Sequence, residues 1–541
     1  MITGAEAIVR CLEAEGVSTV FGYPGATIAP FYEALSASPI RHILTRTEQG
    51  AGHAASGYAR MTGRPGVCVV TSGPGATNLL TAVATAYSDS IPLVAITGQV
   101  ATFQLGKDVF QEVDTTGAAE PFTKYCILLK SAQELPRVMR EAFYIASTGR
   151  RGPVLIDVPV DVQRELLDFS YPEEVNIRGY KPRYEGHPMQ VKKVAAALSE
   201  AERPLLCLGG GVFLAGAEQE ARTFCERTGI PAVSTMMGVS VLPWDHPLYF
   251  GMLGTHGVKA ANQAVQESDL LVIIGARVGD RAITQPSRLE AETKIIHIDV
   301  DSAEIGKNVG TTIPLVGDAA KVLRQLLEQP IGGEWRSWTD RLVSLREEGR
   351  VRRAALDSQP GRAGVNPHVF VRMLCASLPE NSVYVADVGQ NQIWSANNFS
   401  FHGRFLTTGG MGTMGYSIPA ALGAKLAAPD KTVVAVCGDG SCQMSLNEFA
   451  TARQHGVDIK VVVMRNGVLG MVRELQDRSY GHPFAVSLDG SPDFGGIAGA
   501  YGMGYARVER MEQAQEGIRA LLDSGGPFLL ECLVDPKEES V

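Results

Sequence analysis

Between Thr432 and Met471 the chain reads TVVAVCGDGSCQMSLNEFATARQHGVDIKVVVMRNGVLGM, two β-branched apolar runs separated by a helix-length segment. The first run ends at Gly438-Asp439-Gly440-Ser441 and the second just before Asn466-Gly467. Strand, helix and strand make a crossover with parallel strands. If those strands are neighbours, their carboxyl ends lie about 5 Å apart, so oxygens of Asp439 and Asn466 can reach one cation. Hard oxygen donors with room for further oxygens suit Mg²⁺, whose octahedron is commonly completed by phosphate and water, so the pattern predicts a diphosphate. Gly438 and Gly440 let the backbone approach it, and the helix after Ser441 aims its N-terminus at it. The competing reading is an ordinary strand-to-helix turn with a capping Asp. The 27-residue step from Asp439 to Asn466, and Leu469-Gly470-Met471 beyond it, weigh against that reading.

The same alternation runs through the rest of the chain. Buried strands are predicted at Val67–Val70, Pro92–Thr97, Pro153–Val158, Pro204–Leu208, Leu270–Ile274, Ile295–Val300, Val383–Ala386, Val433–Cys437 and Ile459–Met464. Continuous apolar runs joined by helices mean parallel sheets covered on both faces. The fold class is α/β, with three similar-sized domains of mainly parallel sheets flanked by helices. The first domain spans 1–165, opened by a Thr3-to-Glu6 capping box and an amphipathic helix closing near Gly16. A Pro-rich, charged stretch makes 166–188 a linker. The central domain is 189–340, and a charged helical stretch ending at Gln359-Pro360-Gly361 makes 341–365 a second linker, its arginines on a solvated face. The last domain is 366–541, with a polar tail DPKEESV.

Composition narrows the function classes. With 49 Lys and Arg against 58 Asp and Glu the formal charge is −9, unsuited to a nucleic-acid partner. No apolar run approaches the roughly 20 residues of a membrane span, nor does a signal core follow a basic start, so a cytoplasmic location is expected. The nine cysteines are odd in number, scattered and free of C-x-x-C pairs, so they are expected to be reduced and mostly buried. The ten histidines lack zinc-ligand spacing. Glycine is the outlier at 59 residues, clustered between apolar runs.

Taken with RTEQGA at 46–51, TSGPGATN at 71–78, FQEVD at 110–114, GMLG at 251–254, HIDVD at 297–301 and GGMGTMG at 409–415, the Gly438-to-Asn466 pattern resembles the acetohydroxyacid (acetolactate) synthase catalytic subunits, which are thiamin-diphosphate enzymes. The resemblance covers nearly the whole chain. It implies decarboxylation of pyruvate and transfer of the two-carbon unit to a second 2-keto acid, giving 2-acetolactate or its ethyl homologue. It also implies thiamin diphosphate, Mg²⁺ and a non-redox FAD, a homodimer or homotetramer with active sites between subunits, and room for a separate regulatory subunit.

By position in the family, Glu48 hydrogen-bonds the aminopyrimidine and favours its imino tautomer, while Phe110 and Gln111 line the thiazolium and second-substrate region. Arg281 holds the second acid's carboxylate. Val388, Gly389, Gln390, Gly412, Met414, Gly438, Gly440, Ser441 and Met471 hold the thiamin cofactor. Asp439, Asn466 and the Val468 carbonyl are the metal ligands. Arg150, Gly209, Gly210, Gly211, Thr235, Met236, His256, Arg277, Asp299 and Asp318 form the flavin site. From the residues alone, Glu48 also reads as an acidic first-turn residue, Met414 as core packing and Arg281 as a surface ion pair.

Departures from the family cluster near the substrate: Val160 replaces a lysine, Leu475 a tryptophan, and Arg277-Val278-Gly279-Asp280-Arg281 stands for R-F-D-D-R. Thr47, Thr255, Asn391 and Arg465 stand where histidine, methionine, histidine and asparagine are usual. A 2-keto acid decarboxylase or a carboligase with another substrate is therefore an alternative, as is a non-catalytic binding or regulatory protein. A nicotinamide dehydrogenase is disfavoured by the lack of G-x-G-x-x-G with a following ribose-binding acid.

Overall fold

Thr3 opens the first helix as its sequence dictates. Its hydroxyl accepts from the Glu6 N–H at 3.2 Å and the Glu6 carboxylate accepts from the Thr3 N–H at 2.7 Å, capping Gly4–Ala14. The computed structural model describes residues 1–358 and 363–541, so Gln359-Pro360-Gly361 lies outside the described residues.

Three six-stranded sheets follow, every strand parallel to its neighbours. Ranked within its own domain, the first sheet has strand order 2-1-3-4-6-5, and the last sheet has the same order. The central sheet differs, with order 3-2-1-4-5-6, the doubly wound arrangement that binds dinucleotides at its switch point. The first and third domains thus share a topology that the central one does not. In the last sheet the order reverses between Val383–Ala386 and Val433–Gly438, placing the ends of those strands at a switch point where ligands bind. The inner strands are buried, which is why they read as unbroken apolar runs, whereas edge strands such as Tyr125–Leu128 and Gly504–Val508 are only partly buried.

Contacts to the flanking domains reach into both linkers. Leu166–Leu167 pairs antiparallel with Ile2–Thr3 and so closes the first domain. Farther on, Tyr180 donates to the Thr148 carbonyl at 2.8 Å and receives a bond from Lys124 Nζ at 3.0 Å, pinning the connection to that domain. The charged helix is Arg336–Asp357, and its Trp338, Leu342 and Leu345 are buried in the central core, so residue 341 falls inside that domain's packing. Its arginines are not uniformly solvated either: Arg341 pairs with Glu267 at 3.0 Å and Arg346 sits over the Phe250 ring. All nine cysteines are free and eight are buried, Cys126 being half-buried. Among the described residues no helix is long and apolar enough to cross a membrane.

The first and third domains meet where helix Glu48–Thr62 crosses helix Ser417–Ala427. The crossing is tight because it is built on glycine. A Cβ on Gly57 would stand 2.0 Å from the Ala420 carbonyl oxygen, and one on Gly423 would stand 1.8 Å from that of Ala54. Replacing Gly423 with Val is expected to lower stability by about 3 kcal/mol or more, because neither backbone can give way. Gly349→Ala, in open space on the charged helix, should instead stabilise by up to about 1 kcal/mol. Denaturant unfolding monitored by circular dichroism checks both signs.

Candidate active site

At the carboxyl edge of the last sheet, Gly438 pairs in register with Met464, so Asp439 emerges level with Arg465 and one residue before Asn466. The Asp439 carboxylate accepts from the Gly467 N–H at 2.9 Å, and the Asn466 amide oxygen accepts from the Val468 N–H at 3.1 Å. The Asn466 amide donates to Gln390 Oε1 at 2.9 Å. Gly389 adopts φ +132°, a conformation that favours glycine, between strand Val383–Ala386 and helix Gln390–Asn398. The Ser441 hydroxyl donates to the Val388 carbonyl at 3.1 Å, binding the two switch-point loops together. A Cβ on Gly440 would lie 3.1 Å from Leu469 and 3.5 Å from Met414, so these two side chains pack close around the turn.

Burial pushes the Asp439 carboxyl above the usual carboxylate range, against backbone donors that pull it down. Among the described residues no group of three or more His, Cys, Asp and Glu is arranged to hold a metal ion. A cation here would therefore take one carboxylate and neutral oxygens from the protein and complete its shell elsewhere, which fits Mg²⁺ rather than a protein-caged zinc ion.

Buried Asp387 organises the neighbouring loop. Its carboxylate accepts from the N–H groups of Val388 and Gly415 at 2.9 Å and of Ser417 at 2.7 Å. The same loop is held from the first domain by Asp89, which accepts from Gly410 N–H at 2.8 Å and pairs with Arg60 at 2.8 Å. Thr85 and Thr413 hydroxyls meet at 2.7 Å. Sequence reasoning passed over Arg60 and Asp89. Arg60 follows the SGYA run, on the same helix as Glu48, but no spacing rule links it to a loop more than three hundred residues away.

All three domains line one cavity of about 1240 Å³. Its walls include Arg150, Gly210, Gly211, Thr235, Met236, His256, Arg277, Asp299 and Asp318, together with Val388, Gly412 and Met471 from the last domain. Gly209 is not on the wall: its N–H donates to the Ile274 carbonyl at 2.9 Å, and a Cβ there would stand 2.2 Å from the Gly275 carbonyl oxygen, so it packs the turn.

Arg150 is held by Glu304 at 2.6 Å and Asp301 at 3.3 Å. Burial raises Asp299 to about 6 and lowers half-buried His256. Asp318 also caps helix Ala319–Leu327. Val278 sits on the wall with φ +39°, a strained value for a β-branched residue, within the segment that departs from the family. The Arg281 side chain is 81% exposed at this wall, 3.7 Å from Asp280. Leu475, 61% exposed, also borders the cavity, whereas Val160 does not; it begins helix Val160–Arg164. Asn391 bridges the Asp387 and Val436 carbonyls, and Arg465 pairs with Glu531 at 2.6 Å.

Glu48, Phe110 and Gln111 are not on the cavity wall. Glu48 begins its helix behind a Thr47 cap, and its carboxylate accepts from Asn78 Nδ2 at 3.1 Å. The turn before Thr47 is fastened from the last domain by buried Glu448, which accepts from the Arg46 N–H at 3.0 Å. Gln111 takes φ +61° against Gly73, where a Cβ would come within 2.8 Å of the Gln111 Cβ. Phe110 is 86% exposed. The loop carrying these two is tied to its sheet through Gln99, which donates to the Val113 carbonyl at 2.8 Å and to buried Asp157 at 2.8 Å. The site residues thus form two groups, one on the first domain's edge and one around the last domain's edge and the cavity.

Family models for thiamine pyrophosphate enzymes match all three domains: the N-terminal TPP binding domain over 2–118, the central domain over 191–326 and the C-terminal TPP binding domain over 387–532. The chain therefore has the three-domain plan of a thiamine pyrophosphate enzyme. A probable acetolactate synthase large subunit of Methanocaldococcus jannaschii is 45% identical, over 99% of this chain and 92% of its own. The acetolactate synthase large subunit of Corynebacterium glutamicum is 43% identical over 98% and 87%, and the isozyme 2 large subunit of Escherichia coli 41% over 99% and 96%. The chain belongs to the acetolactate synthase large-subunit family.

Burial raises the Asp157 carboxyl to about 7, although Thr97 and Gln99 donate to it. A raised folded pKa means that the native state holds this proton more tightly than the unfolded chain does. That contribution is full below about pH 4 and is lost as pH rises through about 7. Asp157→Asn should flatten the dependence, wild type losing up to about 1.4 kcal/mol per pH unit relative to the variant across that window. Urea unfolding of both proteins from pH 4 to 8 measures the difference.

Proposed function

We propose that this chain is the catalytic subunit that condenses pyruvate with a second 2-keto acid, releasing carbon dioxide and forming 2-acetolactate or 2-aceto-2-hydroxybutyrate. The observation that carries the reading is 41–45% identity, over nearly the whole chain, to relatives named acetolactate synthase large subunits. Thiamin diphosphate, when bound, supplies the nucleophilic carbon and the electron sink for decarboxylation. The protein's part is placement and charge. Asp439, Asn466 and the Val468 carbonyl would hold Mg²⁺ against the diphosphate, with Gly389, Gly438 and Gly440 admitting it and Gln390 and Ser441 bracing the loops. Gly412, Met414 and Met471 would support the rest of the cofactor.

Glu48 would keep a proton exchanging at the aminopyrimidine, and Arg281 would take the second acid's carboxylate at the cavity mouth. Phe110 and Gln111 would face the reacting carbons. The exposure of Phe110 and the position of Glu48, Phe110 and Gln111 off the cavity wall support a homodimer in which the first domain of one copy closes on the last domain of the other. The central sheet order and the cavity wall of Arg150, Gly210, Gly211, Thr235, Met236, His256, Arg277, Asp299 and Asp318 support a structural FAD. A separate regulatory subunit fits the large-subunit names of the relatives.

Purified protein incubated with thiamin diphosphate, Mg²⁺ and pyruvate should yield 2-acetolactate, measured as acetoin after acid treatment and corrected with an untreated aliquot. Glu48→Gln should lower the rate by about 100-fold or more. Acetaldehyde without acetolactate would make the chain a decarboxylase instead. Titration with FAD, read by recovery of flavin fluorescence after denaturation of the isolated protein, tests the cavity independently of turnover.

A further inference from the structure

The polar tail does not trail into solvent. Ser540 is fully buried, and its N–H and hydroxyl each donate to Glu474 Oε1 at 2.8 Å. The Glu539 carbonyl accepts from Trp394 Nε1 at 2.9 Å, and the Glu538 carbonyl accepts from Arg473 at 3.1 Å and from Gln390 Nε2 at 2.7 Å. Gln390 Nε2 also donates to Glu474 Oε1. Glu474 is itself buried, in helix Gly470–Tyr480, with Arg478 at 3.6 Å.

The donor count then fixes an orientation. A glutamine amide has two N–H donors and one oxygen. Both donors of Gln390 are taken by groups that here only accept, a main-chain carbonyl and a carboxylate already receiving two bonds from Ser540. Its oxygen must therefore face Asn466, whose amide nitrogen donates to it at 2.9 Å. That leaves the Asn466 oxygen directed away from Gln390, on the side where it accepts from the Val468 N–H at 3.1 Å. Flipping either amide would set N–H against N–H in a buried site, at the cost of an unmade hydrogen bond. Three of the groups that enforce this, one acceptor and two donors, come from residues 538–540.

We infer that Glu474 and the Glu538–Ser540 segment are positioning residues that lock the amide of Gln390, and through it Asn466, with the Asn466 oxygen presented to the cation. The inference rests on the reading of Asp439 and Asn466 as metal ligands. Groups one step behind a ligand set its orientation, and their loss typically costs about 10–100-fold in metal affinity; Gln390 holds that place, and Glu474 and the Glu538 carbonyl fix which way its amide faces. Gln390 belongs to the loop proposed to hold the cofactor and Glu474 borders the cavity, so the readout that isolates the network is the Mg²⁺ dependence of cofactor binding in the absence of pyruvate.

Equilibrium binding of thiamin diphosphate, followed by quenching of intrinsic fluorescence at increasing Mg²⁺ in the absence of pyruvate, tests this without turnover. Glu474→Ala is expected to raise the half-saturating Mg²⁺ by about 10-fold or more. Glu474→Gln, which keeps an acceptor oxygen, should return to within about threefold of wild type, a rescue that a purely structural role of the charge would not produce. Truncation after Lys537 removes the second acceptor and should act like the alanine variant, so the test stands if Glu474→Ala fails to fold. An unchanged Mg²⁺ requirement in the truncated protein, or in folded Glu474→Ala, overturns the inference. Wild type whose binding needs no Mg²⁺, or survives Asp439→Ala, overturns the metal-ligand reading itself and this inference with it, an outcome distinct from the first.

Discussion

The near-contact of two backbones at the Gly57–Ala420 and Ala54–Gly423 crossing governs how the rest of the molecule is arranged. With no side chain between them, helices Glu48–Thr62 and Ser417–Ala427 lock the first and third domains as one body. The Glu48 helix then sits where Glu448 can fasten the turn before it, and Arg60, on that helix, reaches Asp89 and so the loop at Gly409–Gly410. The loop carrying Gly412 and Met414 is thereby gripped from two directions, by Asp387 of its own domain and by Asp89 of the other. The central domain completes the cavity against this pair and contributes a different sheet order, 3-2-1-4-5-6.

Much of this was legible in the chain itself. Strands buried on both faces must be short and apolar, so their positions follow from composition within a residue or two, as at Pro204–Leu208, Leu270–Ile274 and Val383–Ala386. The nearness of Asp439 and Asn466 follows from the geometry of a strand-helix-strand unit, and register sets Asp439 level with Arg465, one residue before Asn466. The boundary at 341 misled because six arginines within Arg336–Asp357 masked a narrow stripe of Trp338, Leu342 and Leu345 at helical spacing.

What stayed hidden was long-range polar chemistry. Ser540 bonds to a carboxylate 66 residues earlier and Glu538 to an amide 148 residues earlier, and neither link leaves a periodic trace. A run of Lys, Glu and Ser is indistinguishable from a solvated end until its partners are placed. The triple glycine was similarly ambiguous: Gly210 and Gly211 line the cavity while Gly209 packs its own turn, a division that depends on the neighbouring strand end at Gly275. The strand order 2-1-3-4-6-5 shared by the first and last domains leaves no strict sequence period.

That shared strand order has a consequence for how catalytic capacity is counted. Each copy of the chain carries one edge bearing Glu48 and one bearing Asp439, on domains of like topology. A two-fold pairing that seats the first edge on the partner's second edge necessarily seats the partner's first edge in return. In the proposed homodimer, assembly would then be a symmetric all-or-nothing choice: such a pair would have two complete centres or none, and dilution would remove both together.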